Sequence, residues 1–308
     1  MNNTSAQTPA NTSATNTKPR IDLYQKVTDT IIQHLEEGTM PWQKPWKGGD
    51  SSFKIPQNQV SGKQYNGVNI LLLWGASIKH EYNSNVWASF RQWSNTKESI
   101  RKGEKGTMVV YYDFLEKEVE GELKKLPFLK SYVVFNQCQL ASYDPANISN
   151  EPEVSLVERL DEGESFLRNT GAVIKHKGKS ASYNFAKDEI VMPKMASFID
   201  TEHSTATENY YSTLLHELVH WSGHESRLKR DFGKRFGDYT YAAEELVAEF
   251  GAAFLCSELG ISCEPRKDHA SYIANWLTAL KNNKYILTTS ATAASKAVDY
   301  LNNLQPVI

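Results

Sequence analysis

Residues 211–228 read YSTLLHELVHWSGHESRL, and this stretch decides how the second half of the chain is read. His216 and His220 stand four apart, with Glu217 after the first. On an α-helix that spacing puts two imidazoles one turn apart on one face, where both can reach a single cation. Glu217 then lies beside a water on that cation rather than on the cation itself. Imidazole nitrogens suit Zn2+, and a carboxylate in this place can take a proton from the metal's water. Leu214, Leu215, Leu218 and Val219 frame the motif as a buried helix. A catalytic zinc needs a third protein ligand. YAAEELVAEFGAAFL (residues 241–255) is a second helical pattern, with Glu245 and Glu249 four apart on one face. Glu245 follows His220 by 25 residues, room for a loop and a returning helix, and is the third-ligand candidate. Glu249 is placed to hold a ligating histidine through its other ring nitrogen. Glu244 projects about 100° away and is the weaker ligand. Zn2+ is the expected ion, and another divalent metal such as Mn2+ suits the same ligand set.

This pair of helices resembles the gluzincin metallopeptidases, whose third ligand is a Glu on a later helix followed four residues on by an acidic or polar residue. Ala248, Ala252 and Ala253 are similar to the small residues that let such a helix pack against the motif helix. In metzincins a third His would fall at Ser226, so that pattern is absent. His224 comes two residues early and stays outside the ligand set. SASYNFAKDEIVMP (180–193) lies where zincins carry an edge strand that pairs with an extended substrate. Tyr183 belongs either to such an edge or to a core strand.

Outward toward the N-terminus the patterning changes. Leu23, Val27, Ile31 and Leu35 recur every four residues, which predicts an amphipathic helix over 21–37 ended by Gly38. Residues 39–67 are rich in Pro, Gly and Asn and read as irregular. VNILLLWGASI (68–78) reads as a buried helix, NVWASFRQWS (85–94) as a short helix and RKGEKG (101–106) as a basic turn. TMVVYYDFLEKEV (107–119) alternates like a strand. EGELKK (120–125) reads as a charged turn and FLKSYVVFNQCQL (128–140) as the partner strand. After a polar connection come a helix (157–171), strands at 172–178 and 180–193, and helices from Glu208 onward. The expected fold class is α+β in two domains, 20–141 and 154–308, with a disordered tail at 1–19 and a linker at 142–153.

The net charge is −2, yet Met40 to Val110 carries ten Lys/Arg against four Asp/Glu, a net +6 that leaves −8 for the rest. Five of the seven Trp fall between positions 42 and 93, in that same basic stretch. Aromatic faces stack on unpaired bases while Lys and Arg track phosphates, so the combination suits single-stranded nucleic acid. The candidates are Trp42, Lys44, Trp46, Lys47, Lys63, Tyr65, Trp87, Arg91, Arg101, Lys102 and Lys105. Trp74, inside an apolar run, reads as core; Trp42 and Trp46, flanked by Pro and Lys, stay open between core and surface. No duplex-binding motif is visible. The three cysteines have no C-x-x-C spacing, which argues for a reducing compartment. No apolar run reaches membrane-spanning length, and the first 20 residues lack the apolar core of a secretory signal. The expectation is a cytoplasmic protein with no membrane partner.

Five motifs occur in order: W-x-K-P-W (Trp42 to Trp46), N-x-x-S-G-K-x-Y-x-G-x-N (Asn58 to Asn69), W-x-S-F-x-Q (Trp87 to Gln92), R-K-G-E-K-G (Arg101 to Gly106) and V-F-N (Val134 to Asn136). With L-L-H-E-L-V-H-W-S-G-H and E-E-L-V-A-E-F-G-A-A-F-L behind them, they resemble the ArdC antirestriction proteins of conjugative plasmids; a similar N-terminal domain occurs in TraC-type plasmid primases. The resemblance implies a single-stranded-DNA-binding domain joined to a zincin-like metallopeptidase domain. It adds Asn69 and Gln92 to the DNA-binding set and implies protection of incoming DNA from host restriction. A restriction-system component is the kind of protein substrate it suggests. Two other readings stand beside it: a cytosolic zinc metallopeptidase whose N-terminal domain recruits its substrate, and a non-catalytic single-stranded-DNA-binding protein with a structural metal.

Overall fold

The computed structural model describes residues 21–43, 53–119, 122–145, 156–233, 239–262 and 269–306. The expected tail at 1–19, the segment with Lys44, Trp46 and Lys47, and most of the expected linker lie outside those residues.

The N-terminal half opens with α1 (Leu23–Glu36), capped by the Asp22 carboxylate on the Gln25 amide, with Val27, Ile31 and Leu35 buried. After the short β1 (Gln57–Asn58) comes α2 (Val68–His80), which is apolar because neighbours surround it: α1 and β3 (Thr107–Val119) on the N-terminal side, α8 (Ile286–Asn302) on the other. The remaining elements of this half are β2 (Val86–Ser89), α3 (Phe90–Asn95) and β4 (Glu122–Asn136). The four strands form a sheet in the order β1-β2-β4-β3.

Two local expectations change. Val86–Ser89 is a strand rather than the start of a helix, paired antiparallel through Trp87 opposite Asn136 and Ser89 opposite Val134. Ser89 and Gln92 form a capping box, so the helix begins only at Phe90. The expected turn at 120–125 is shorter, since the β3–β4 ladder runs on to Val119 opposite Glu122. Glu116, Glu118 and Leu123 are exposed there, and an antiparallel ribbon tolerates such solvent-facing positions.

The C-terminal half contains α4 (Leu156–Thr170), β5 (Val173–His176), β6 (Ser182–Asn184), β7 (Glu189–Met192), α5 (Ala206–Ser222), α6 (Tyr239–Glu258), α7 (His269–Asn282) and α8. Its sheet has the order β5-β7-β6, so 180–193 is a hairpin with β6 at the edge. A Thr205–Glu208 capping box starts α5. Helices α5 and α6 pack closely at Gly251, where a Cβ would stand 2.8 Å from Val219 Cγ2. The architecture is α+β, with an N-terminal and a C-terminal domain, and one continuous core joins them: Val27, Ile31, Trp42 and Trp74 belong to the same cluster as Leu215, Phe250, Phe254, Trp276 and Ala291. Polar contacts follow the same seam. Ser257 Oγ donates to the Phe53 carbonyl at 2.6 Å, and the Gly67 amide donates to Ser295 Oγ at 2.8 Å. Among the described residues no helix is long and apolar enough to cross a membrane.

Candidate metal centre

Helix α5 presents His216 and His220 on the side facing α6, and α6 presents Glu245 to both. His216 Nε2 lies 3.7 Å from Glu245 Oε2, and His220 Nε2 lies 3.7 Å from Glu245 Oε1. One donor atom from each residue falls within 4.8 Å of the others. Tetrahedral ligands bonded at about 2.1 Å stand roughly 3.4 Å apart, so two imidazoles and a carboxylate at this spacing fit a shared divalent cation.

The flanking charges support that fit. His216 Nδ1 is 3.6 Å from Glu249 Oε1, and His220 Nδ1 is 3.0 Å from Glu244 Oε1. Each ring thus has a carboxylate behind it and turns its Nε2 toward Glu245, and the His220–Glu244 hydrogen bond is of the kind that fixes a ligating tautomer. Glu244 was the residue that helical geometry set aside. It stays out of the ligand triangle but meets His220 from behind, a role that its spacing alone did not reveal. The only hint was its place directly before Glu245.

Glu217 is 4% exposed on the motif helix, and its charge acts on His220. Burial alone would lower the His220 pKa; the Glu244 hydrogen bond and the charges of Glu245, Glu244 and Glu217 outweigh it and hold the ring up at about 9. Burial would raise Glu245, but His216 and His220 bring it down to about 2. His216, His220 and Glu245 would hold a divalent cation here, which would compete with the proton on the His220 ring for its nitrogen. His224 stays apart, with Nδ1 2.8 Å from Ser226 Oγ and its ring against Phe185. Phe232, in the loop after α5, lays its ring 5.9 Å from His220 and 6.0 Å from Tyr183 of the edge strand β6, so this strand borders the site.

The residues expected to touch DNA do not share one surface. Trp42 and Trp87 are fully buried, which removes both from a base-stacking surface. Trp42 packs between α6 and α7, and Trp87 packs with Leu73, Val109 and Val134. Tyr65 is half-buried against the same cluster. Asn69 makes two 2.8 Å bonds to the Val110 backbone, and Gln92 serves the α3 cap and Asn58. Arg101 donates to the Leu140 and Cys138 carbonyls and to Glu104. Asn69, Gln92 and Arg101 thus spend their polar groups on bonds inside the fold, satisfying backbone groups of neighbouring segments. Lys63, Arg91, Lys102 and Lys105 are exposed. Lys44, Trp46 and Lys47 lie outside the described residues. Two exposed aromatics that sequence reading passed over, Tyr111 (57% exposed) and Tyr132 (52%), share one face of the β3–β4 ribbon, with Lys130 opposite Tyr111.

Comparison with known proteins matches both halves. A family model for the N-terminal domain of anti-restriction factor ArdC covers residues 21–135, and one for a zincin-like metallopeptidase covers 161–294. The protein y4eC of Sinorhizobium fredii is 36% identical over 293 residues, 92% of each chain. The DNA primase TraC of Escherichia coli is 33% identical over 305 residues; these are 93% of this chain but only 20% of the primase. The metal-free crystal structure of the antirestriction ArdC protein from plasmid R388 superposes with a TM-score of 0.75 at 37% identity, covering 92% of this chain and 98% of that one. Its Mn(II)-bound form gives 0.73 at 36% identity.

Proposed function

The chain belongs to the ArdC family of antirestriction proteins, and we propose that it binds single-stranded DNA with its N-terminal half and a divalent metal, zinc or Mn2+, with its C-terminal half. In this reading it acts in the cytoplasm to protect incoming DNA of a conjugative or mobile element from host restriction. The observation that carries the reading is the convergence of His216, His220 and Glu245 from two helices onto one triangle of donor atoms. A divalent cation held there supplies Lewis acidity and an acidified water. The chain's own residues do the rest. Glu249 and Glu244 orient the two rings, and Glu217 is the general base that takes and delivers a proton during peptide hydrolysis. The protein substrate in this reading is a component of the restriction system. Lys63, Arg91, Lys102 and Lys105 supply the phosphate contacts, and Tyr111 and Tyr132 replace the buried tryptophans as the stacking surface.

The test compares wild type with Glu217→Ala in plasmid transfer into restricting and non-restricting recipients, with metal content measured on both proteins. Protection by wild type and its loss in a metal-loaded Glu217→Ala support the full reading. Absence of protection by wild type overturns it. Equal protection by the variant removes hydrolysis from the antirestriction function and leaves the DNA-binding role with a structural metal.

A further inference from the structure

Arg230 connects the candidate metal centre to the end of the helix that carries it. Its Nε donates to Glu244 Oε2 at 3.0 Å and its Nη2 to Glu244 Oε1 at 2.9 Å, a two-pronged pair. Nη2 also donates to the Val219 carbonyl at 2.6 Å, and Nη1 donates to Ser222 Oγ at 2.9 Å. Val219 and Ser222 belong to the last turn of α5, the turn that includes His220. Gly223 makes room for the guanidinium: a Cβ there would lie 2.7 Å from Arg230 Nη2, while its φ of −82° is open to any residue. Space, not backbone freedom, therefore calls for glycine at this position. The Arg230 and Glu244 side chains are 11% and 4% exposed. A carboxylate so buried is costly unless paired, and the guanidinium fork is the partner that fixes its plane as well as its charge.

We propose that Arg230 and Glu244 form one positioning unit for His220, which sets how tightly this chain retains its metal. The guanidinium fixes the carboxylate, and the carboxylate holds the proton on His220 Nδ1. The Nε2 lone pair is then directed toward Glu245 and the position of the cation. Because the same guanidinium is tied to the Val219 carbonyl and Ser222, the ring is referenced to its own helix, and so to His216 one turn earlier. Glu244 stands on α6 beside Glu245, so the unit also fixes the spacing of the two helices that share the metal. The inference rests on the metal reading of the site.

The test measures Mn2+ and Zn2+ dissociation constants by competition with a chromophoric chelator. It uses the full-length wild type, Glu244→Gln, Arg230→Met, Arg230→Lys and the Glu244→Gln/Arg230→Met double variant. The melting temperature of each metal-free protein checks folding, and the 15N pattern of His220 in the zinc-loaded protein reports which ring nitrogen carries the proton. Glu244→Gln is expected to weaken metal binding by about 10–100-fold with the metal-free fold retained. Arg230→Met is expected to lose a similar amount, Arg230→Lys to recover part of it, and the double variant to lose no more than Glu244→Gln alone. Unchanged affinity in Glu244→Gln overturns the proposal, as do losses that add in the double variant, since the two residues would then act separately. If Arg230→Met does not fold, Glu244→Gln and Arg230→Lys decide the matter between them. A wild type that binds neither metal overturns the underlying reading of the site; a wild type that binds, with variants equal to it, overturns this inference alone.

Discussion

Trp42 meets Phe250 edge to face with ring centroids 4.9 Å apart, five residues along α6 from Glu245. Helix α6 therefore carries the candidate metal ligand on one side and receives the N-terminal half on another. Trp276 closes the same contact at 5.9 Å, and Trp74 adds a second one on Phe254 at 5.7 Å. The halves are expected to unfold together. Replacing Trp42 with Ala should cost about 3–5 kcal/mol, the range for emptying a large buried aromatic site. Trp42→Phe should cost less than half of that. Urea denaturation gives the magnitude, and hydrogen exchange gives the location: protection in α1 and α6 should fall in step. Loss confined to α1 would show that the halves fold independently.

Metal removal should be visible in stability. A ligand that binds only the folded chain, present at a hundred times its dissociation constant, adds about 2.7 kcal/mol. Thermal melts with Mn2+ or Zn2+ and with a chelator should differ accordingly for wild type. The difference should vanish in His220→Ala and Glu245→Ala, which lose a ligand, and persist in Glu217→Ala, which loses only the base. A metal-dependent shift that survives in Glu245→Ala would remove that residue from the ligand set.

The hairpin of β6 and β7 is pinned to α5 by Asp188. Arg227 Nη1 donates to Asp188 Oδ2 at 2.9 Å, Tyr183 donates its hydroxyl to Oδ1 at 2.7 Å, and the Arg227 guanidinium lies 3.8 Å from the centre of the Trp221 ring. The Arg227 hydrogen bonds, opposed by partial burial, bring the Asp188 pKa down to about 2 from 3.8. A carboxylate whose pKa is depressed by folding stabilises the fold above its unfolded pKa and loses that contribution as pH falls through the folded one. The stability gap between wild type and Asp188→Asn should therefore be full near neutral pH and close between about pH 4 and pH 2. Urea midpoints of the two proteins across that window measure it, and a gap that stays constant with pH would assign the effect to packing.

How much of this was legible in the chain depends on the range of the contact. The pairing of His216 with His220, and of Glu245 with Glu249, follows from helical period, which is local; that the two helices meet was implied by the resemblance to gluzincins. The place of Glu244 depends on the offset between α5 and α6, and that of Arg230 on the path of a loop; neither has a period. Burial of Trp42 depends on Phe250 of α6 and Trp276 of α7, both more than two hundred residues on. Its Pro and Lys neighbours left it open between core and surface. Val86–Ser89 became a strand because Val134–Asn136 lie beside it, whereas its short apolar run suits either element. The bias of aromatics and basic residues was real, but for Trp42, Trp74 and Trp87 it encodes a core rather than a stacking platform.

That correction makes the DNA surface testable. If Tyr111 and Tyr132 stack on bases, replacing both with Ala should weaken single-stranded DNA binding by about 1–3 kcal/mol per ring while leaving the salt dependence alone. If Lys102 and Lys105 neutralise phosphates, their replacement with Ala should weaken binding and flatten the plot of log K against log salt by about 0.7 for each phosphate left without its lysine. Both tyrosines are exposed and neither packs in a core cluster, so the folded state should survive their removal. Fluorescence anisotropy of a labelled oligonucleotide across a salt series separates the two effects. A tyrosine variant that binds as wild type does would move the stacking role off this ribbon. A lysine variant with an unchanged slope would take Lys102 and Lys105 out of the phosphate path.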